Sequence, residues 1–271
     1  MKRETKYFQT SFNRPNLCYD IKEKRSDNSY SADIGDLVKY KYPNKSGIVY
    51  CTTIKECEKI ETDLGLQRIN VCIYHGKLSD KQKKENQQRW MLGEVNVIIA
   101  TIAFGMGINK PDVRFVIHAS FSKSVENYYQ ESGRAGRDGQ PADCIIFFRE
   151  KDLATHEWFI HNSETTDQQK TQGLGNLSRM VWFCQDNLIC KREFQLMYFG
   201  ERFNRTNCNK MCNTCKLPRE VNPKDCTKEA IFICKNLREE RDTYNMTVKQ
   251  ISKILKGSQE KQLQMIFKDS N

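Results

Sequence analysis

The sequence predicts an α/β fold in which a parallel sheet carries helices on both faces, followed by a smaller helical subdomain rich in cysteine. Short apolar runs alternate with helical patterns over residues 47–148, which is typical of chains built from strand–helix–strand units. The runs are apolar throughout instead of alternating with polar residues, as expected of strands that are buried on both sides. After residue 152 no such runs recur, and helical patterns surround a cysteine cluster.

The elements follow in chain order. Alternating Leu17, Tyr19 and Ile21 predict a first strand, and Pro43 ends a helix over 33–42. Five further strands are predicted at 47–51, 69–74, 95–100, 114–119 and 144–148, with helices at 53–64, 79–92 and 124–132. Later helical patterns lie at 177–189, 192–199, 226–239 and 247–256. The predicted domains are therefore 1–152, 153–218 and 219–271.

Helix ends are indicated by local signals. Ser79 and Gln82 have the spacing of a capping box. Gly65 and Gly93 follow apolar helical patterns and are expected to end them, because glycine readily takes the left-handed backbone conformation. The TVKQ sequence at 247–250 is a second candidate capping box.

Composition limits the class of protein. The net charge is +10 and the chain contains twelve cysteines. The charge favours a polyanionic partner, with nucleic acid first and an anionic membrane surface second. Apolar runs stay short of the roughly 18 residues that a membrane span needs. Residues 1–10 are polar and show no secretory signal, so the cysteines are expected to be reduced thiols or metal ligands in the cytosol or nucleus.

Three loops are expected at the edge of the sheet where its strands end, the usual ligand position in such folds. They are 74–79 (YHGKLS), 101–111 (TIAFGMGINKP) and 128–139 (YYQESGRAGRDG). In the third, Arg134 and Arg137 are three residues apart. This spacing indicates either a phosphate clamp, since guanidinium groups grip phosphate well, or a flexible, solvated loop.

Nucleotide-binding motifs are missing from the printed sequence. It contains no GxxxxGK[ST] and no paired acidic motif after a strand. Gly105 and Gly107 begin a GxG pattern, but position 110 is Lys. The chain alone is therefore expected not to bind a triphosphate in the P-loop manner, and another lobe has to supply that cradle.

Four cysteines have metal-ligand spacing, C-x17-C-x3-C-x2-C, formed by Cys190, Cys208, Cys212 and Cys215. Four thiolates without an open position predict a structural zinc site, the alternative being four unrelated thiols. The other eight cysteines are interpreted as small buried apolar residues. Lys191, Arg192 and Lys210 are interpreted as a solvated face, with contact to DNA phosphates as the alternative.

These motifs together resemble the RecQ family of DNA helicases. Residues 97–120 and 128–139 resemble motifs V and VI, 46–51 resembles motif IV, and 8–17, 74–79, 190–201 and 208–215 resemble further family segments. The CNKMC spelling resembles the RecQ-like type 1 branch. The resemblance implies a second RecA-like motor lobe, a zinc-binding subdomain and a truncated winged-helix start, without the first lobe that carries the P-loop.

The resemblance also implies roles for individual residues. Arg137 matches the arginine finger, Arg134 its companion, and Gln130 a glutamine that orders the same catalytic site. Gly105 and Asp112 are the remaining candidates for contact with ATP.

The same family pattern implies a nucleic-acid path. Thr101, Gly107, His75 and Ser79 match positions along it, although a lone histidine such as His75 is commonly structural. Asp138 is interpreted as a partner that holds an arginine.

The function implied is an ATP-dependent 3′–5′ DNA helicase acting in unwinding, repair and recombination, located in the nucleus or in a bacterial cytoplasm. Its partners would be single-stranded and forked DNA and no membrane. Zinc would be structural, and ATP and Mg²⁺ would bind only with the first lobe present. A non-catalytic, basic, zinc-containing nucleic-acid-binding module is the main alternative, and an RNA helicase is the other.

Overall fold

In the part of the chain that the structure describes, six strands form one parallel sheet, as the sequence predicts. They are β1 Leu17–Glu23, β2 Ser46–Tyr50, β3 Val71–Tyr74, β4 Val97–Ala100, β5 Val113–His118 and β6 Ala142–Phe148. Their spatial order is β1-β6-β5-β2-β4-β3, and each neighbouring pair is parallel. The structure is a computed structural model that describes residues 10–25, 29–105, 108–217, 224–231 and 234.

Eight helices accompany the sheet among the described residues of the first of two units, Met1–Arg219. They are α1 Tyr30–Asp36, α2 Ile54–Leu66, α3 Asp80–Leu92, α4 Val125–Ser132, α5 Leu153–His161, α6 Asp167–Gln185, α7 Lys191–Tyr198 and α8 Asn213–Lys216. A π-helical stretch, Leu37–Lys41, extends α1, and short 3-10 turns lie at Glu150–Asp152 and Arg205–Cys208.

The second unit is Glu220–Asn271. Within it, residues 227–231 and 234 are helical, inside the helix predicted at 226–239. The predicted helix at 247–256 and its TVKQ capping box lie outside the described residues.

The sheet buries both of its faces, because alternate strand residues enter two separate cores. Ile48 and Tyr50 join a core with α3, α4 and α6, while Val49 and Cys51 join a core with α1 and α2. This is the two-sided burial that apolar strand sequences predict. No helix in the described part of the chain is long and apolar enough to cross a membrane.

The end signals predicted for α3 are confirmed, whereas the end predicted for α2 is wrong. Ser79 caps α3 in a complete capping box with Gln82, and Gly93 ends the helix at φ 79°. Gly65 does not end α2, which continues to Leu66. Helix α5 was not predicted, and α6 begins ten residues before the predicted position 177, because its polar first half lacks an apolar period.

A buried charge network ties four elements together where β1, β5 and β6 end. Lys24 is 4% exposed. Its Nζ lies 2.9 Å from both Glu56 Oε1 and Asp152 Oδ2 and 2.6 Å from Ser120 Oγ. Burial pushes the pKa of Asp152 upward, but Lys24 and then Arg149 outweigh it and leave that pKa below its usual value.

Candidate functional site

A long loop, residues 101–112, crosses one face of the sheet from the end of β4 to the start of β5. Phe104 and Ile108 anchor it in the core. The Thr101 N–H donates to Tyr74 O at 3.2 Å, and the buried Lys110 donates through Nζ to Met91 O at 3.2 Å. The loop is therefore a packed, fixed surface in its described part, which excludes Met106 and Gly107.

Residues 133–140, the arginine loop, lie against the far end of that crossing. Gly136 N–H donates to Val113 O at 2.9 Å and Asp138 N–H donates to Pro111 O at 3.3 Å. Val113 begins β5, so this loop lies at the amino ends of the strands. The prediction of three loops at one edge was wrong for the third, because α4 carries the chain back across the sheet before β6 begins.

Both candidate arginines bind carbonyl groups of the crossing loop. Arg134 Nη1 donates to Gly105 O at 2.5 Å. Arg137 Nη1 donates to Ile108 O at 2.7 Å and to Asn109 Oδ1 at 3.1 Å. Two guanidinium groups are therefore held side by side over one loop, which contradicts the alternative of a flexible, solvated segment.

Gly136, between the two arginines, is required by the geometry. Its φ is +53°, and a Cβ there would lie 2.5 Å from Asn16 Nδ2 and 2.7 Å from Gln140 O. Any other residue would be strained and would collide with its neighbours. The missing side chain at Gly136 thus makes room for Asn16 of the N-terminal segment.

The electrostatic potential at the arginine loop is positive. Desolvation and then the neighbouring charges of Arg134 and Arg14 lower the pKa of Arg137. Asp138 does not offset this potential, because it binds Arg114 Nη2 through both oxygens, at 2.6 and 2.7 Å. The prediction that Asp138 holds an arginine is confirmed. An anion placed beside Arg134 and Arg137 would relieve the repulsion between them.

The other ATP-site candidates remain predictions. Gln130 is exposed on the last turn of α4. Asp112 is exposed and lies 3.2 Å from Lys110 Nζ. Gly105 contacts the Arg134 side chain closely, since a Cβ there would lie 2.9 Å from Nη2.

Three nucleic-acid candidates gather at the opposite, carboxyl edge, where β3 and β4 end. His75 and Thr101 directly follow these two strands and are both buried. Neither ring nitrogen of His75 has a hydrogen-bond partner among the described residues. Ser79 is exposed, and its hydroxyl serves the capping box of α3. The fourth candidate, Gly107, lies outside the described residues, and the contact of all four with nucleic acid stays a prediction.

The four predicted cysteines meet in one cluster. Their sulfur atoms all lie within 4.8 Å of one another, with Cys212 Sγ 3.7 Å from Cys208 Sγ and 3.8 Å from Cys190 Sγ. Ligands about 2.3 Å from zinc stand about 3.8 Å apart at the corners of a tetrahedron. The donor set and its spacing fit zinc, with no position left open for a substrate.

The cysteine cluster is joined to the sheet. Tyr19 N–H, in β1, donates to Met211 O at 3.0 Å, and Tyr19 forms an isolated parallel bridge with Cys212. Leu177 and Phe183 of α6 share the core that contains Tyr19. A metal here would hold the helical subdomain against the edge strand of the lobe.

Two basic residues beside the cluster differ from the sequence interpretation. Lys191 and Arg192 are 1% and 2% exposed, so assigning them to a solvated face was wrong; Lys210 is exposed. Among the eight remaining cysteines, Cys18, Cys51, Cys57, Cys72, Cys144 and Cys184 are buried as predicted, whereas Cys226 and Cys234 are exposed.

The residues that support the arginine loop are not predicted by any of the sequence motifs. Arg14 and Asn16 donate to its carbonyl groups, and Arg192 binds the segment that contains them. These contacts join residues more than a hundred positions apart, and no spacing rule reaches that far. The Asn-Arg-Pro-Asn run at 13–16 is a local turn signal, and Leu17 N–H closes that turn by donating to Arg14 O at 3.1 Å.

Two protein-family models match this chain and show its class. Residues 31–139 match the helicase conserved C-terminal domain, and residues 150–216 match the RecQ zinc-binding domain. The chain thus joins the C-terminal lobe of a helicase to a zinc-binding region, and the four clustered cysteines are its structural zinc site.

Relatives identify the family. The chain is 42% identical over 234 residues to ATP-dependent DNA helicase Q-like 2 of Arabidopsis thaliana, covering 86% of this chain and 32% of that protein. ATP-dependent DNA helicase Q1 of Pongo abelii is 41% identical, over 86% of this chain and 33% of that protein. A solved structure of the E. coli DEAD-box protein SrmB is 20% identical, with a TM-score of 0.45, over 57% of this chain and 92% of that one.

The chain belongs to the RecQ helicase family. It spans about a third of the length of these two curated relatives. Q1 proteins are among the relatives, as the type 1 resemblance implies, but the Q-like 2 protein is equally similar.

Proposed function

We propose that this chain is the second motor lobe and zinc-binding region of an ATP-dependent DNA helicase that moves 3′ to 5′ along single-stranded DNA and opens forked duplexes. The observation that carries the proposal is the pair of arginines. Arg134 and Arg137 are each anchored through Nη1 to the crossing loop, so two positive charges are held side by side where an anion would bind.

The arginines provide half of a nucleotide site. A P-loop lobe would bind ATP and Mg²⁺, and closure of the cleft would bring Arg137 to the transferring phosphoryl group. A guanidinium there stabilises charge on the phosphoryl oxygens and contributes about 10³–10⁵ in rate in related nucleotidases. Gln130, Gly105 and Asp112 complete the proposed ATP contacts.

Nucleic acid would bind at the other edge of the lobe. His75, Ser79, Thr101 and Gly107 are the proposed contacts, and the net charge of +10 favours a polyanion. The crossing loop runs from Thr101 to the arginine loop, so both proposed sites share one packed segment. This arrangement offers a direct link between nucleotide state and DNA grip. Nuclear repair and recombination are the proposed setting.

The test uses the full-length protein with DNA substrates of defined polarity. We expect ATP hydrolysis that single-stranded DNA stimulates, and unwinding of a 3′-tailed DNA duplex but not of a 5′-tailed or RNA duplex. The 271-residue chain alone is expected not to hydrolyse ATP. DNA binding by the full-length protein without any ATP hydrolysis would instead support the non-catalytic module.

A further inference from the structure

Residues 11–17, the anchor segment, lie between the zinc region and the arginine loop. Arg192, two residues after the zinc ligand Cys190, binds this segment from one side. Its Nη1 donates to Asn13 Oδ1 at 2.7 Å and to Arg14 O at 2.6 Å, and its Nη2 donates to Leu17 O at 2.6 Å. Arg192 is 2% exposed, so these bonds are shielded from water.

Arg14 binds the arginine loop from the other side of the same segment. Its Nη1 donates to Gly133 O at 3.2 Å, and its Nη2 donates to Ala135 O at 3.0 Å and to Gly136 O at 2.9 Å. These carbonyl groups belong to residues on both sides of Arg134 and to the residue before Arg137. They follow the end of α4, where helix carbonyl groups lack partners and attract cationic side chains.

Two further contacts fix the segment. The Asn16 Nδ2 donates to Gly136 O at 2.8 Å and to Gln140 O at 2.9 Å. Phe12 stacks on Phe199, which follows α7, with ring centroids 4.9 Å apart, and its carbonyl accepts from Tyr129 Oη at 2.8 Å. The segment is therefore held by the zinc region and by α4 at once.

We infer that Arg14 is a positioning residue for Arg134 and Arg137, and that Arg192 links this positioning to the zinc region. The inference rests on the proposed function. One planar fork reaches three carbonyl groups within four residues of the chain, which a lysine ammonium cannot do from a single point. If the segment moved, Arg14 would no longer bind these carbonyl groups. The backbone around Arg134 and before Arg137 would then lose its support.

The experiment measures kcat and KM for ATP, affinity for single-stranded DNA, zinc content and melting temperature in the full-length protein. We expect Arg14→Ala to lower kcat at least about tenfold, since a misplacement near 1 Å costs about 10² in rate. KM for ATP, DNA affinity and zinc content should stay within twofold of wild type. Arg14→Lys keeps the charge but not the fork and should remain impaired.

The link to the zinc region is tested by a double-variant cycle. Arg192→Lys should lower kcat in the same direction, and the Arg14→Ala, Arg192→Lys protein should be no worse than Arg14→Ala alone, because both act through one segment. Tyr42→Phe is the control for general destabilisation. This substitution removes the hydrogen bond from Tyr42 to Asp143, which does not involve the arginine loop. The kcat of Tyr42→Phe should therefore equal that of wild type.

The outcomes separate the two ideas. Wild-type kcat in Arg14→Ala, together with inactive Arg137→Ala, overturns the positioning role and leaves the proposed function intact. Loss of kcat in Arg14→Ala only in proportion to lost zinc or folded protein also overturns it. Independent, multiplying effects in the double variant overturn the link to Arg192. Wild-type protein without ATP hydrolysis, or full turnover in Arg137→Ala, overturns the proposed function itself.

Discussion

Replacing Gly105 with alanine tests the contact between the crossing loop and Arg134. The added Cβ would lie 2.9 Å from Arg134 Nη2, while the nearest backbone atom, Ile102 O, is 3.7 Å away. The guanidinium therefore has to move by roughly half an ångström or more, away from a carbonyl that it now binds at 2.5 Å. Since a misplacement near 1 Å costs about 10² in rate, ATP turnover should fall by about tenfold.

Stability should respond differently from turnover. Only the end of a side chain has to yield, so the free energy of unfolding should change by less than about 1 kcal/mol. Gly65→Ala is the matched control, because a Cβ there meets nothing within 4 Å. It should raise stability by no more than about 0.5–1 kcal/mol, since Gly65 lies in the last turn of α2, and leave turnover unchanged. Turnover and thermal unfolding are measured on the full-length protein, and Gly105→Ala with wild-type turnover would refute the reasoning.

Two further predictions concern zinc and pH. The purified protein should contain about one zinc per chain. Cys212→Ser should lose this zinc and melt at a lower temperature, whereas Cys226→Ser, which alters an exposed cysteine, should keep it. An equal metal content in both variants would contradict the zinc site. Asp152 has a lowered pKa, so its stabilising effect is full above about pH 4 and is lost as pH falls through the lowered folded value. Asp152→Asn should therefore be less stable than wild type at pH 7 and approach it in acid, which thermal melts across pH would show; a constant gap would count against the Lys24 network.

Local chemistry made much of the fold predictable. The capping box at Ser79, the stop at Gly93 and the apolar strand runs depend on residues within a few positions of each other. The zinc cysteines Cys208, Cys212 and Cys215 are equally close in sequence, so their spacing alone indicated a metal site.

Non-local contacts made the rest unpredictable. The burial of Lys191 and Arg192 depends on partners in β1 and α6, which no periodicity identifies. The position of the arginine loop depends on the course of α4 and on a crossing connection that lacks a helix of its own. Even Gly65, a plausible helix end by its type, lies inside α2, which ends one residue later at Leu66.

Arg137→Ala in the full-length protein is the most direct test of the central claim. The account predicts that ATP turnover falls by about 10³ or more, while affinity for single-stranded DNA and zinc content stay at wild-type values. An equal loss of DNA affinity would mean that Arg137 binds nucleic acid, and unchanged turnover would mean that the arginine loop is not part of a nucleotide site.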